Sequence, residues 1–399
     1  MKYIIAVLLV LFASFTDIFL FRISVIPVQP SSFLLPLFLV VSAIHYSIQD
    51  MLAIFRSHTF KLFLAIALLS IIYSAVSSAP TDIIIEEIVL NILTVLLYAY
   101  MLQFFRKESK WLIFIVVFGA FTVLAGSVWY DYLIGLPKFD LALEQMVRKG
   151  GFGENPNQAS SAMKFLALTI LVFLQDKKLK RITVIIMMVA SVFLTFSRSG
   201  IISILLILIL GTLNNWQVKF NITPHKLVRS IFNMVFLLVG IYIGLVSLVG
   251  VLRNEFPELN RGAMGERIDL LLGKGDKNVV SEDIGSREGR GDLLFSYSSD
   301  FVKKPLGYGT AFTSDRRYNS RNTHNYYLFL AVNFGIVAII VYIVYLFRSL
   351  NLSFRYNQFY YLIFVILLIF EGLVDHHMYI NRSILISLAF FDSLIYRSH

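Results

Sequence analysis

The chain has 399 residues, 57 % of them hydrophobic, a formal net charge of +10 and no cysteine. The missing thiols exclude disulfide frameworks, thiolate metal sites and cysteine nucleophiles. The basic excess is not a nucleic-acid footprint, because most of it lies in short loops between apolar stretches, where Lys and Arg orient membrane helices.

A bilayer core of about 30 Å takes about 20 residues of helix. Apolar windows of that kind recur at 3–21, 33–54, 62–79, 84–104, 111–131, 157–174, 182–196, 200–213, 230–252, 325–347, 358–374 and 379–396. They predict an all-α fold, a polytopic transmembrane bundle of about twelve spans. One long hydrophilic block, Arg253 to Arg321, interrupts it between spans nine and ten. The domain reading is therefore 1–252 for the first nine helices, 253–324 for an inserted loop and 325–399 for the last three helices. The 3–21 stretch has no small-residue cleavage pattern and another span close behind it, so it reads as a first helix and not as a signal peptide. With the N-terminus in the cytoplasm, the clusters Arg106-Lys107, Lys177-Lys178, Lys180-Arg181 and Lys219 with Lys226 and Arg229 all fall inside. The opposite loops are poor in Lys and Arg, so both termini are expected inside and the long loop outside.

Gly150-Gly151-Phe152-Gly153 is glycine-rich but lacks the Lys-Ser/Thr ending of a phosphate loop, so it reads as the approach to a turn at Asn155. Asn155-Pro156-Asn157 sits where a helix starts, with proline at home in the first turn, and a structural role stands equal to a substrate role. As one helix, 182–213 would run about 48 Å, too long for one straight crossing. A hairpin broken at Phe196-Ser197-Arg198-Ser199-Gly200 puts both basic flanks on one side and Arg198 at the outer tip.

Asp17, Glu86, Glu87, Lys164, Arg198, His324, Glu371, Asp375, His376 and His377 all fall toward the outer side. An ionisable group in a span is costly unless it pairs or lines a wet cavity, so the set points to a cleft open to the outside. Asp17, Glu86 and Glu87 taken singly read as interfacial residues at helix ends. In the loop, 257–274 and 286–304 show helical periodicity, the second with Leu294, Tyr297 and Phe301 on one stripe before Pro305 and the Gly307-Tyr308-Gly309 turn. His324 follows, at the N-terminus of span ten. There the positive end of the helix dipole favours a neutral ring, which with a partner such as Asn325 suits general-base work. The plainer reading is Thr323 as N-cap beside an interfacial histidine. His376 and His377 read as a solvated loop or as part of the same cleft.

His324-Asn325, then nine residues and Gly335, resembles the histidine motif of the O-antigen ligase and polymerase superfamily. Three further pieces stand in the family's order. Gly153-Glu154-Asn155-Pro156-Asn157 resembles its Asn-Pro-Asn segment, and Ser197-Arg198 its Ser-Arg motif. Arg290-Gly291-Asp292-Leu293-Leu294 with Lys304-Pro305-Leu306-Gly307-Tyr308-Gly309 resembles its arginine helix and proline-glycine turn. The resemblance covers roughly residues 150–345. One departure is Ala338, where the ligase-type motif usually has Gly, Thr or Val.

The resemblance implies a glycosyltransferase of the bacterial inner (cytoplasmic) membrane, with its active site on the periplasmic face. Its partners would be an undecaprenyl-diphosphate-linked glycan donor, a glycan acceptor, membrane lipid and a chain-length regulator. In that chemistry His324 is the base for the acceptor hydroxyl, and Arg198 and Arg290 hold the diphosphate, because a guanidinium grips phosphate oxygens in pairs. Arg287, Arg321, Asn325, Asn155, Asn157, Tyr308, His376 and His377 are the expected substrate-binding residues. No acidic cluster looks like an Mg²⁺ cage, so neither metal nor cofactor is expected. Polymerisation of lipid-linked repeat units ranks ahead of ligation onto lipid A core. A secondary transporter, the rival from another class, would show internal repeats and midplane charges.

Overall fold

A computed structural model describes residues 1–137, 148–153, 155–221, 290–319 and 322–396, with isolated positions between 232 and 247. Most of the expected span at 230–252, the amphipathic helix at 257–274, and Arg287 and Arg321 lie outside the described residues. Every regular element among the described residues is helical. The main ones are α1 (Lys2–Ala13), α2 (Thr16–Arg22), α3 (Leu34–His45), α4 (His58–Ser74), α5 (Thr81–Lys107), α6 (Lys110–Leu133) and α7 (Pro156–Phe173). They continue with α8 (Lys178–Leu194), α9 (Arg198–Leu213), α10 (Arg290–Lys303), α11 (Tyr326–Arg355), α12 (Phe359–Gly372) and α13 (Arg382–Tyr396). The helices α5, α6 and α11 are each long and apolar enough to cross a membrane unaided, which makes this a helical membrane protein.

Two expected spans are not single rods. The 3–21 window is α1 and α2, bent by 68° at the join. Ser14 Oγ donates back to the Val10 carbonyl at 2.7 Å, and Phe15 takes a left-handed φ of 57°. A side chain that bonds the preceding turn competes with the helix and ends it. The 33–54 window stops at His45, because Ser47 and Asp50 form a reciprocal capping box that starts a new short helix, Ile48–Leu52. The expected break in 182–213 is present: α8 ends at Leu194, and Ser197 caps α9 through the Gly200 N–H at 3.3 Å.

At the centre stands α7, buried along nearly its whole length and packed by α6, α8, α9, α12 and α13. Small residues at Ala159, Ser160 and Ala162 let its neighbours approach closely. At Gly200 of α9 a β-carbon would sit 1.9 Å from Ser160 Oγ and 2.9 Å from Val192 Cγ1, so a larger residue at that crossing must displace both side chains. Polar contacts tie the bundle where apolar packing alone would leave the register free. Lys164 of α7 is ion-paired to Glu371 of α12 and donates to Ser203 Oγ of α9 at 3.0 Å, while Ser161 Oγ also donates to Glu371. Asp17 of α2 is paired with Arg382 of α13. Asp392 of α13 accepts from Tyr98 of α5 at 2.6 Å and from Tyr361 of α12 at 2.9 Å.

Lys164 is fully buried and Glu371 is 2 % exposed, so removing one partner strands a charge in low dielectric. Lys164→Met should cost about 3–5 kcal/mol and lower the unfolding midpoint in detergent. Lys164→Met with Glu371→Leu should recover most of that loss. An unchanged midpoint in the single variant would show that the pair contributes nothing.

Candidate active site

The site is built on a junction between the long loop and α11. Gly335 interrupts α11 with φ 69° and ψ −164°, which frees the carbonyls of the preceding turn. The proline-glycine turn takes them: Tyr308 N–H donates to the Val332 carbonyl at 2.8 Å and Gly309 N–H to that of Asn333 at 3.0 Å. In return Ile336 N–H donates to the Pro305 carbonyl at 2.9 Å. A β-carbon on Gly307 would lie 2.6 Å from the Asn333 carbonyl oxygen, and one on Gly335 2.4 Å from the Leu306 carbonyl carbon. The two backbones therefore interlock with no room for side chains.

The same loop is clamped onto the α4–α5 turn. Thr310 Oγ1 donates to the Ser70 carbonyl and Ser77 Oγ to the Thr310 carbonyl, both at 2.6 Å. Asp315, isolated in the sequence, pairs with Arg317 through two parallel bonds of 3.0 and 2.7 Å. Arg317 also donates to the Ser78 carbonyl at 2.6 Å. Helix α10 docks on this platform by Leu293 and Tyr297, packed with Phe312 and Val332. The stripe differs from the expected one by a residue: Leu293 is buried and Leu294 is 53 % exposed. Positions 293 and 297 are four apart and so share a face more closely than 294 and 297.

His324 lies one residue before the cap of α11, exposed, with a left-handed φ of 48°. That conformation costs a non-glycine residue about 1 kcal/mol or more and is a feature of functional sites. The cap is Asn325, not Thr323: Asn325 Oδ1 accepts from Leu328 N–H at 3.0 Å, and Thr323 Oγ1 donates to the Asn325 carbonyl at 3.0 Å. Asn325 thus orients the backbone beside His324. The His324 ring stands edge-on to His376 with centroids 5.5 Å apart, and His376 lies tilted against His377 with centroids 3.9 Å apart. These two histidines, from the turn between α12 and α13, are not a solvated loop. They line a cavity of about 300 Å³ together with Glu86, Glu87, Asn91 and Arg316. Arg316 is held by Asn322 Oδ1 at 2.7 Å.

Burial, the neighbouring imidazoles and Arg316 push the His377 ring down to about 4 and the His376 ring to about 2. Both are neutral at physiological pH. An unfolded chain takes up these protons near 6.5, whereas the native state resists until well below, so stability present above that pH is lost as pH falls toward 4. The unfolding midpoint in detergent should drop between about pH 7 and about pH 5, and His376→Gln with His377→Gln should flatten the drop. A slope the double variant leaves unchanged would place its origin elsewhere.

A second group of expected residues gathers at the start of α7. Asn155 caps α7, accepting from Asn157 N–H at 2.9 Å. Asn157 Oδ1 accepts from Ser197 Oγ at 3.0 Å and from Arg148 Nη2 at 2.8 Å, and Arg148 Nε donates to the Thr195 carbonyl at 3.1 Å. Asp131 holds the approach by accepting from the N–H groups of Gly150 and Gly151 at 3.2 and 2.9 Å. The Asn-Pro-Asn turn and the Ser-Arg turn are thus one structure, with Arg198 exposed at the head of α9. Arg290 is the first residue of α10. Tyr308 stacks on Phe312 at 4.2 Å, with Lys304 Nζ 5.0 Å from its ring, and does not line the cavity.

Sequence reasoning missed Arg316, Arg148, Glu87 and Asn91 as site residues. Arg316 and Arg148 carried no spacing signal. Ile83, Glu87, Leu90, Asn91 and Thr94 did: they recur at helical spacing and make one face of α5. Among the described residues no three His, Asp or Glu side chains converge as a metal site. Residues 183–343 match the family described as O-Antigen ligase, a stretch that includes the Ser-Arg turn, α10, the proline-glycine turn and His324. Among curated proteins none matches the chain.

Proposed function

We propose, from the match of residues 183–343 to the family described as O-Antigen ligase, that the chain is a membrane glycosyltransferase that polymerises lipid-linked oligosaccharide repeat units into a surface polysaccharide. Donor and acceptor are both carried by undecaprenyl diphosphate at the periplasmic face of the bacterial inner membrane. Both termini lie in the cytoplasm.

The observation that carries this reading is the edge contact of His324 with His376, which lines one cavity with His377 and Arg316, beside a platform locked by Gly307 and Gly335. In the reaction His324 takes the proton of the acceptor hydroxyl as its oxygen attacks the anomeric carbon of the donor sugar. The carbon–oxygen bond to the diphosphate breaks, the lipid diphosphate leaves, and the anomeric configuration inverts. The arginines Arg198 and Arg290, with Arg287 and Arg321, hold the diphosphate and stabilise its charge as it departs, a task that suits planar forks aimed at phosphate oxygens. Asn155 and Asn157 orient the Ser-Arg turn that presents Arg198. The alternative is ligation of a finished glycan onto lipid A core, which shares the donor and the base; the description of the matching family favours it.

The purified protein should convert a defined lipid-linked repeat unit into a ladder of oligomers, and excess chelator should leave the ladder in place. Transfer seen only when lipid A core is supplied would replace polymerase by ligase. Loss of activity on chelation, restored by Mg²⁺, would overturn the metal-independent chemistry.

A further inference from the structure

The cavity reaches beyond the histidines, between α4 and α5, and its chemistry is unlike that of a phosphate site. Glu87 and Asn91 lie four residues apart on the inner face of α5, one turn above the other. Glu87 Oε1, Asn91 Nδ2 and both ring nitrogens of His376 are buried without a hydrogen-bond partner, and all three residues line this space. His376 is only 8 % exposed, and the nearest carboxylate, Asp375, stands 3.9 Å from its Nδ1. Leaving such groups unsatisfied costs about 1–3 kcal/mol each, so a built site is expected to fill them. The remaining wall is aromatic: Phe63, Tyr326, Phe329 and Tyr379. Carboxylate and amide groups that grip hydroxyls, beside ring faces that pack on C–H edges, are the means of holding a sugar. The carboxyl groups of Glu86 and Glu87 offer a diphosphate no cation, and among the described residues of the lining the one cation is Arg316. At about 300 Å³ the cavity is at the small end of ligand sites, suited to one sugar and not to a chain.

We infer that this cavity is the subsite for one neutral sugar of the acceptor glycan, the residue whose hydroxyl is presented to His324. The inference rests on the transferase reading and adds to it the side on which the acceptor lies. Glu87 Oε1 accepts from one sugar hydroxyl, Asn91 donates to a second oxygen, and neutral His376 completes the grip between the cavity and His324. The donor diphosphate stays with the arginines outside it. Glu87 and Asn91 therefore decide acceptor affinity and not donor affinity.

The test uses the full-length protein in detergent. The probe is the free oligosaccharide released by mild acid from lipid-linked units that accumulate in cells lacking this enzyme. Carrying no diphosphate, it is acceptor only. The wild-type protein should bind it, and Glu87→Gln and Asn91→Leu should each weaken binding about tenfold, the worth of a lost buried hydrogen bond. In transfer assays the same variants should raise the KM for added oligosaccharide and leave that for the lipid-linked donor unchanged. His324→Ala should bind the probe as tightly as the wild type while making no ladder. Unweakened binding in a folded Glu87→Gln or Asn91→Leu protein, or no binding by the wild type, would overturn the subsite. A ladder from His324→Ala together with weakened binding in the α5 variants would instead remove the catalytic base and keep the subsite. Asn91→Leu carries the test if Glu87→Gln does not fold.

Discussion

Replacing His324 by alanine should abolish polymer formation while the protein still reaches the membrane and melts as the wild type does. General-base assistance contributes about 10²–10⁴-fold, and a transfer whose nucleophile is a sugar hydroxyl depends on it fully. The ring is exposed, is not part of the buried core, and caps nothing: the cap is Asn325. Its loss therefore removes chemistry and the edge contact with His376, but nothing from the buried core. Relief of a left-handed φ of 48° is not to be expected from alanine, which tolerates that region no better, so folding energy should shift by less than about 1 kcal/mol. His324→Gln should fail equally, because an amide donates and accepts hydrogen bonds but takes no proton at neutral pH. Polymer of normal length from either variant would refute the base assignment.

The second large effect is expected at Gly335. Its φ of 69° with ψ −164° belongs to a region essentially reserved for glycine, and a β-carbon would meet the Leu306 carbonyl at 2.4 Å. Neither partner is a side chain that could swing away. Gly335→Ala must break the paired backbone bonds to Pro305, Tyr308 and Gly309 or force the loop off α11. Mutations of this kind reach about 4 kcal/mol and more, enough to deplete a marginally stable protein. The measurement is the amount of folded, monodisperse protein extracted from membranes, which should fall severalfold. Alanine at Gly291, whose β-carbon would meet nothing, is the control and should be tolerated. Equal yields of the two would mean that the interlock is not needed for folding.

Much of the architecture follows from the length of apolar runs, since a bilayer dictates one element type and one length. The hairpin broken at 196–200 and the helix start at Asn155 were readable from span length and turn chemistry, and the loop helix within 286–304 from its periodicity. The kink between α1 and α2 was not, because Ser14 and Phe15 carry no breaker signal and the bend comes from one side-chain bond and a tertiary setting. Nor was the early end of α3, although Ser47 and Asp50 spelled a capping box inside an apolar window. The site was legible where a residue's own type announced its chemistry, as at His324 and the Ser-Arg turn. It was opaque where function arises from convergence. Glu87 alone reads as an interfacial residue at a helix end, and Asn91 announces nothing inside an apolar window, until α5 is set against the turn carrying His376. Lys164 and Glu371 are separated by most of the chain, and only the bundle makes them a pair.

The splice at Gly335 also divides α11 mechanically. Residues 326–334 are bonded to the proline-glycine turn, and through it to the α4–α5 junction, while residues 336–355 continue as regular helix with one face, Tyr342, Tyr345 and Ser349, packed in the bundle and the other exposed. Rods of fixed length answer a change in bilayer thickness by leaning. Here the lean ends at the splice, so the imidazole at the head of the helix keeps its register as lipid composition changes around the stem.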